Sequence, residues 1–463
     1  MTISLLAQES TGGAIARDGF GYQDAYVLQH LPTWLNQGAF SHVVSEASGD
    51  IEVCYFAPSG SIVRAFYEAK GKQLTEGDLW AEVEQFKKAY DTSPNEFVRF
   101  VLICRGYNSV TAPLVAKVER LRGVGASYDL NGVMHQQTRQ EIVEWVVGKG
   151  KSVELGQFIV DRVDFESYAD EHAHSAFNGE VDKHLPTLNL RSKDVATLRD
   201  RFVELVSRSS RQHVTRRELE EALVQLLGDE AQTWLKLPTP LYDDDAGFEF
   251  LHLPMQAHNG PDRGRLQATD WQSFMDRAKG VSGFLKASRR RATVALSSKQ
   301  RMSTACVLGY CFSATRGFIL DMDHNGIGFR SDDHVKATEQ FFDTSPSVGG
   351  AETTEGLAFI EFSPTLTLAR AATAAAGLAS GAPQFALTTS KVIDSQAILN
   401  RAVADAKAAL VQFRAAHSLT KIHLFIKGPS HFAMSLGHRL NGVAVIQLYD
   451  WVDGIYRPTA LLA

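Results

Sequence analysis

The sequence predicts an α/β protein built from more than one domain, and three observations carry that prediction. Its 463 residues exceed the roughly 250–300 residues that one hydrophobic core organises. The N-terminal stretch up to residue 104 reads helix, strand, strand, helix, strand. From about residue 290 the pattern changes: three times an apolar strand runs into a small polar loop and then a helix. A composition of 44% hydrophobic and 22% charged residues fits a soluble globular chain rather than a disordered or fibrous one.

The elements follow in order. Residues 20–29 read as a helix, and Gly49-Asp50-Ile51-Glu52-Val53 and Phe66-Tyr67-Glu68-Ala69-Lys70 as strands. Residues 76–86 are apolar at Leu79, Val83 and Phe86, which is the spacing of an amphipathic helix, and 97–104 read as a buried strand. Side chains alternate along a strand, so Glu68 and Lys70 share a face. Asp50 and Glu68 at neighbouring strand ends repel each other unless a cation lies between them. Hard oxygen ligands suit Mg²⁺, which keeps other positions for water and phosphate oxygens. Two carboxylates and an ammonium on one face are what metal-assisted phosphodiester hydrolysis requires. Gln23 and Glu46 are further polar candidates, while a solvated Glu-x-Lys strand is the plainer alternative.

Between 188 and 227 the chain reads as helices rich in arginine. Arg208, Arg211, Arg216 and Arg217 form a candidate phosphate-contacting patch, against the alternative of a solvated helix face. Thr215 and Glu218 have capping-box spacing and open a helix over 216–227. A net charge of −6 excludes a general nucleic-acid coat and leaves such a local patch as the means of DNA contact. His172, His174 and His184 lack metal-site spacing and read as loop residues. The Pro-rich 237–240 and acidic 243–247 turns mark a domain boundary. Cys54, Cys104, Cys306 and Cys311 lie in apolar runs, as expected of free thiols in a reducing cytoplasm. Neither a secretory leader nor a membrane span is expected.

In the C-terminal part, strands over 292–296, 357–362 and 421–426 end in Ser297-Ser298-Lys299, Ser363-Pro364-Thr365 and Lys427-Gly428-Pro429-Ser430. A further buried strand covers 443–449. In such architectures ligands sit beyond the strand C-termini, where helix N-termini offer N–H groups to phosphates.

Two resemblances follow from these residues. The N-terminal part, with its Gly-Tyr-Gln helix, Asp50 opening a strand and Glu68-Ala-Lys70, resembles the PD-(D/E)xK (restriction-endonuclease-like) nuclease module of bacterial anti-phage effectors. That resemblance implies Asp50 and Glu68 as metal ligands, Lys70 as the catalytic lysine, and Gln23 and Glu46 as accessory residues. Gly49 departs from the proline in the motif's name. The C-terminal part, through its Gly-Pro-Ser loop, Met434-Ser435-Leu436-Gly437 helix and Tyr456-Arg457-Pro458 tail, resembles the SAVED domain. SAVED is related to CARF sensors and looks like two fused Rossmann-like halves that bind cyclic oligonucleotides in CBASS defence.

The implied layout is a nuclease core over 1–165, a helical connector or nuclease extension over 166–235, and SAVED over 245–463. Several phosphates in a ring call for cations and N–H groups, which Ser297, Ser298, Lys299, Ser363, Thr365, Lys427, Gly428, Pro429 and Ser430 can supply. Stacking faces for bases are offered by Phe362, Tyr449 and Trp451. The expected protein is a Mg²⁺-dependent double-stranded DNA endonuclease that assembles into a homo-oligomer on binding a cyclic oligonucleotide, a trinucleotide by family resemblance, made by a cGAS-like nucleotidyltransferase. A non-catalytic sensor remains the alternative.

Overall fold

The computed structural model describes residues 8–463 other than 47–48, 209–212, 333–339, 349–352 and 380, and side chains other than those of 8–20, 172, 174 and 346–348. Two units emerge: Met1–Ala57 with Ser61–Ala231, and Pro58–Gly60 with Gln232–Ala463.

The first unit is organised by a six-stranded sheet. Helix α1 (Gln8–Asn36) leads into β1 (Phe40–Ser45), β2 (Ile51–Phe56) and β3 (Ile62–Leu74). Helix α2 (Glu76–Thr92), β4 (Phe97–Tyr107), α3 (Ala112–Arg122), α4 (Val133–Gly148), α5 (Val153–Arg162) and β5 (Val163–Ser167) follow. The order is β5-β4-β3-β2-β1 plus one edge strand, antiparallel through β1–β3 and parallel from β3 to β5. Alternation along β3 explains the layers. Phe66 joins a core with Phe86, Phe100 and Phe158, contributed by α2, β4 and α5. Its neighbour Tyr67 faces Tyr26 and Trp34 of α1 on the opposite side. Glu68 and Lys70 share the parity of Phe66, so they project toward the α2 side.

Residues 166–231 fold into this first unit. Helix α6 (Ala173–His184) and α7 (Ser192–Ser207) pack against α1, β6 (His213–Thr215) pairs with β1 at the sheet edge, and α8 (Arg216–Leu227) starts at the Thr215–Glu218 capping box. Of the histidines expected on a loop, His172 ends a short 3-10 turn and His174 and His184 lie in helix α6, where His184 reaches Glu180 one turn back at 3.1 Å.

In the second unit, short α9 (Ala231–Leu235), β7 (Thr239–Pro240), α10 (Gln256–Asn259) and the long α11 (Ala268–Ser288) precede two strand–helix systems. The first comprises β8 (Thr293–Ser297), α12 (Met302–Cys311), β9 (Ile319–His324) and β10 (Ile327–Arg330), in a sheet ordered β10-β9-β8-β7. The second contains β11 (Asp343–Val348), β12 (Glu355–Glu361), α13 (Ala369–Ala376), β13 (Gln384–Thr388), α14 (Gln396–Ala416), β14 (Lys421–Lys427), α15 (Ser430–Gly437), β15 (Val445–Val452) and β16 (Ile455–Leu462). Its sheet runs β11-β13-β12-β14-β15-β16 with a parallel centre. Helices α12 and α15, one from each system, cross on glycines. A Cβ on Gly309 would lie 1.9 Å from the Met434 carbonyl oxygen, and one on Gly437 2.1 Å from that of Cys306. No side chain fits at either position, and the two Rossmann-like halves meet backbone to backbone.

Candidate active site and ligand pocket

In the first unit, the antiparallel register that sets Ile51 opposite Tyr67 brings Asp50 beside Glu68. Glu46, held at a left-handed φ of 58°, donates its N–H to the Asp50 carbonyl at 2.9 Å and closes the turn that presents Asp50. Gly49 is required there, because a Cβ would meet the buried Phe66 ring at 2.3 Å. The proline of the motif's name has no room in this chain.

The Asp50 Oδ2 atom accepts the Ala69 N–H at 2.8 Å. Burial pushes the Asp50 carboxyl above the usual carboxylate range, against the opposing pull of the Ala69 N–H, the Lys70 charge and a Gln23 hydrogen bond. Burial likewise raises Glu68, and the Asp50 charge adds to the rise while the Lys70 hydrogen bond opposes it. Lys70 Nζ lies 2.7 Å from Glu68 Oε1 and 3.1 Å from Glu82 Oε1. Burial draws the ammonium's pKa down, but these two carboxylates outweigh it and hold it up at about 12. Asp24 on α1 is raised by burial and then by the charge of Glu46.

The structure thus gathers Asp50, Glu68 and Lys70, with Gln23 on Asp50 and Glu46 shaping the turn. It adds Glu82, a residue the sequence reading missed. Glu82 lies three residues after Leu79 and four before Phe86, so it is a charge on the buried face of α2, and that irregularity was the available signal. Two carboxylates raised by burial, Glu68 further by the charge of Asp50, are a donor pair that a divalent cation relieves. Among the described residues no group of three or more His, Cys, Asp and Glu is placed to hold an ion. Two carboxylates of this kind suit a hard divalent cation whose remaining positions water or phosphate oxygens would fill.

The arginine patch needs correction. Arg216 is 1% exposed, bonds Glu220 at 2.8 Å and donates to the carbonyls of Leu35 and Gln37. It fastens α8 to the end of α1 and has no face to offer DNA. Arg208 pairs with Glu204 and Arg217 with Glu221 on exposed helix surfaces. Arg211 lies outside the described residues.

The second unit holds a 590 Å³ cavity at the C-terminal ends of β14 and the middle of β15. Arg263, Arg301 and Lys427 supply cations, and Tyr449, Trp451 and Tyr456 supply rings. Asp450 stands among them. Its Oδ1 accepts the Ser303 N–H at the start of α12, and burial raises its pKa. Lys427 Nζ is held by the buried Glu361 at 2.8 Å and by Thr367 at 2.9 Å. Of the sequence-derived candidates, Lys427, Gly428, Tyr449 and Trp451 line this cavity.

The other candidates lie elsewhere. Ser430 donates its hydroxyl to the Ser298 carbonyl and ties the two halves together, while Ser298 donates to the Asp323 carbonyl within the first half. Ser297 accepts the Lys299 N–H. Pro429 caps α15, and Ser363 accepts the N–H of Thr365 within its loop. Phe362 is engaged by Phe341, Phe342 and Phe432, with its ring over Gly428. The Tyr449 ring stacks on Phe425 at 4.2 Å, and its hydroxyl pairs with His423. Trp451, half exposed, is the ring left most open. Arg263, Arg301, Asp450 and Tyr456 escaped the sequence reading because they come from segments far apart in the chain.

Comparison with known proteins matches these two regions to described families. Residues 11–210 match the model "Cap4, dsDNA endonuclease domain", and residues 278–462 match "SMODS-associated and fused to various effectors sensor domain" (SAVED). CD-NTase-associated protein 4 from Moraxella osloensis is 45% identical over 464 residues, covering 100% of both chains. The chain belongs to the Cap4 family. It is a DNA endonuclease joined to a SAVED sensor domain. The Cap4 of Acinetobacter sp. (strain ATCC 27244 / 9458) is 44% identical over the same length. Among solved structures, the Acinetobacter baumannii Cap4 SAVED/CARF-domain containing receptor with the cyclic trinucleotide 2′3′3′-cAAA superposes at a TM-score of 0.87 with 42% identity, over 96% of this chain and 98% of that one. The same receptor from Moraxella osloensis gives 0.85 and 42%, over 97% and 100%.

Proposed function

We propose that this protein is a CBASS effector whose DNA cleavage is switched on when a cyclic oligonucleotide, a trinucleotide by preference, occupies the cavity of the second unit. The observation that carries the reading is the lining of that cavity. Three cations face a space within the roughly 300–1,000 Å³ range of ligand pockets, next to aromatic rings and the first turn of α12. A ring of phosphates carrying bases matches that lining, and the Acinetobacter baumannii relative is solved with such a ligand.

In the first unit, Asp50 and Glu68 would hold Mg²⁺, which would supply an activated water and charge neutralisation at the scissile phosphate. Gln23 and the Ala69 N–H oppose the rise that burial imposes on Asp50 and orient its carboxylate. Lys70 directs its ammonium toward the charge that develops on the phosphoryl oxygens. Arg208 and Arg217 lie on exposed surface where they can contact the DNA backbone.

Assembly supplies the gate. A messenger that binds the assembled state more tightly than the free state shifts the population toward it by its differential affinity. Nuclease modules brought together cut both strands. The messenger comes from a cGAS-like nucleotidyltransferase in the same cytoplasm. All four cysteines are buried and free, and among the described residues no helix is long and apolar enough to cross a membrane.

The test is plasmid cleavage in Mg²⁺ with a panel of cyclic di- and trinucleotides, with chain assembly followed by light scattering. Cutting and assembly with one trinucleotide, and neither without it, is the expected result. Cutting in the absence of every ligand contradicts the gate.

A further inference from the structure

Lys70 is the only cation that the ion pairs place on Glu68 among the described residues, and it is shared. One ammonium bridges Glu68 on β3 and Glu82 on α2, at 2.7 and 3.1 Å. The two carboxylates are comparably buried, at 15% and 14% exposure. Glu82 is placed for this by α2 itself. The capping box of Thr75 and Asp78 fixes the helix start, and Leu79, Val83 and Phe86 press the same face onto the sheet. Apart from this pairing with Lys70, no ion pair engages Glu82 among the described residues.

A divalent cation and the Lys70 ammonium compete for the same Glu68 carboxylate, because like charges a few ångströms apart repel in a partly buried site. When Glu68 takes the cation, the ammonium must be drawn to another anion or swing into solvent. We infer that Glu82 is a positioning residue for cleavage. It draws Lys70 off Glu68 as the cation binds and holds the ammonium beside the scissile phosphate. This rests on the reading of Asp50 and Glu68 as the cation's ligands. Glu82 itself acts through Lys70 and does not bind the ion.

The experiment is a double-mutant cycle on the full chain, with Ca²⁺ binding measured by calorimetry and DNA cleavage measured across a Mg²⁺ titration. In Glu82→Gln, Lys70 falls back on Glu68, so Ca²⁺ binding weakens about fivefold, while in the Lys70→Met background the same change costs less than about twofold. Cleavage by Glu82→Gln stays slow at saturating Mg²⁺, since the ammonium is misplaced even when the ion is bound. Glu82→Asp keeps the charge but withdraws it by one methylene, and it is slow as well.

An equal loss of Ca²⁺ affinity in both backgrounds overturns the inference and makes Glu82 a ligand or a diffuse source of field. Full rescue of Glu82→Gln by Mg²⁺, or parental behaviour of Glu82→Asp, overturns it too. Absence of any Ca²⁺ isotherm from the parent chain that Asp50→Asn abolishes defeats the ligand reading beneath it, which separates the two failures.

Discussion

The proposed active site and the proposed sensor pocket are built with opposite excesses of charge. In the first unit Asp50, Glu68 and Glu82 surround one ammonium, and burial holds Asp50 and Glu68 above the ordinary carboxylate range. In the second, Arg263, Arg301 and Lys427 line a cavity with Asp450, and Glu361 secures Lys427 from behind. Each site folds with an electrostatic debt that a ligand of the missing sign discharges, a divalent cation in one and a polyanion in the other. Sites of this kind trade some stability for binding, as expected where function and packing conflict. The difference also shows why one lysine type serves two roles. Lys70 is enclosed between carboxylates, whereas Lys427 is 56% exposed at a pocket rim.

Breaking the first site should have the largest effect. Lys70→Ala is expected to slow plasmid cleavage by about 10²–10³-fold, while calorimetric binding of the cyclic trinucleotide stays at the parental value. A variant that loses messenger binding as well would show that the two sites are not separate.

The sensor pocket is probed next by Trp451→Ala. Removing the most open ring of the cavity is expected to weaken messenger binding by about tenfold and leave Ca²⁺ binding to the first unit unchanged. Unaltered messenger affinity would remove Trp451 from the ligand contacts.

Asp50→Asn sharpens the claim of a site under charge strain. The amide still accepts from the Ala69 N–H but no longer ionises in a buried setting, so cleavage is lost and the metal-free protein melts about 1–3 °C higher. A fall in melting temperature would mean that the ionised carboxylate stabilises the metal-free fold.

The smallest effect concerns pH. His431 on α15 is 2% exposed, stacks on Phe329 with the tilted His324 ring beside it, and is pulled down to about 4, first by burial and then by His324. With the folded pKa below the ordinary value of about 6.5, the unfolded chain takes the proton first as pH falls. The stability held above about pH 6.5 is therefore lost progressively toward pH 4. Calorimetric melting at pH 7 and pH 5 should show this fall, and His431→Phe should make it smaller. An identical fall in the variant would assign the pH dependence to other groups, among them His42 in the first unit, also lowered to about 4 by burial, His213 and Arg64.

How legible each region was follows from how local its geometry is. Glu68 and Lys70 lie two residues apart on one strand, and Asp50 opens the strand that pairs with it, so period-2 alternation and one hairpin register bring all three together. Glu82 requires knowledge of how α2 lies on the sheet, which only its unexpected charge on an apolar face hinted at. The strand–loop–helix rhythm revealed the Rossmann-like halves, yet the pocket draws on loops and strands from Arg263 to Tyr456, and no periodicity joins such distant positions. Ser298, Ser430 and Phe362 sit at strand ends as expected, but their groups are spent on holding loops and helices together. Arg216 shows the limit of reading charge by composition. An arginine in a basic run looks solvated until the Leu35 and Gln37 carbonyls and Glu220 close around it.

The most direct test of the central claim, that filling the cation-lined pocket turns on the acidic site, is a titration of DNA cleavage against messenger concentration for the parent and Arg301→Ala. Losing one charge-assisted contact of about 1.5–3 kcal/mol should move the activation midpoint about 10- to 100-fold to higher messenger and leave the maximal rate unchanged. A midpoint that does not move, or cleavage that proceeds fully without messenger, would contradict the account.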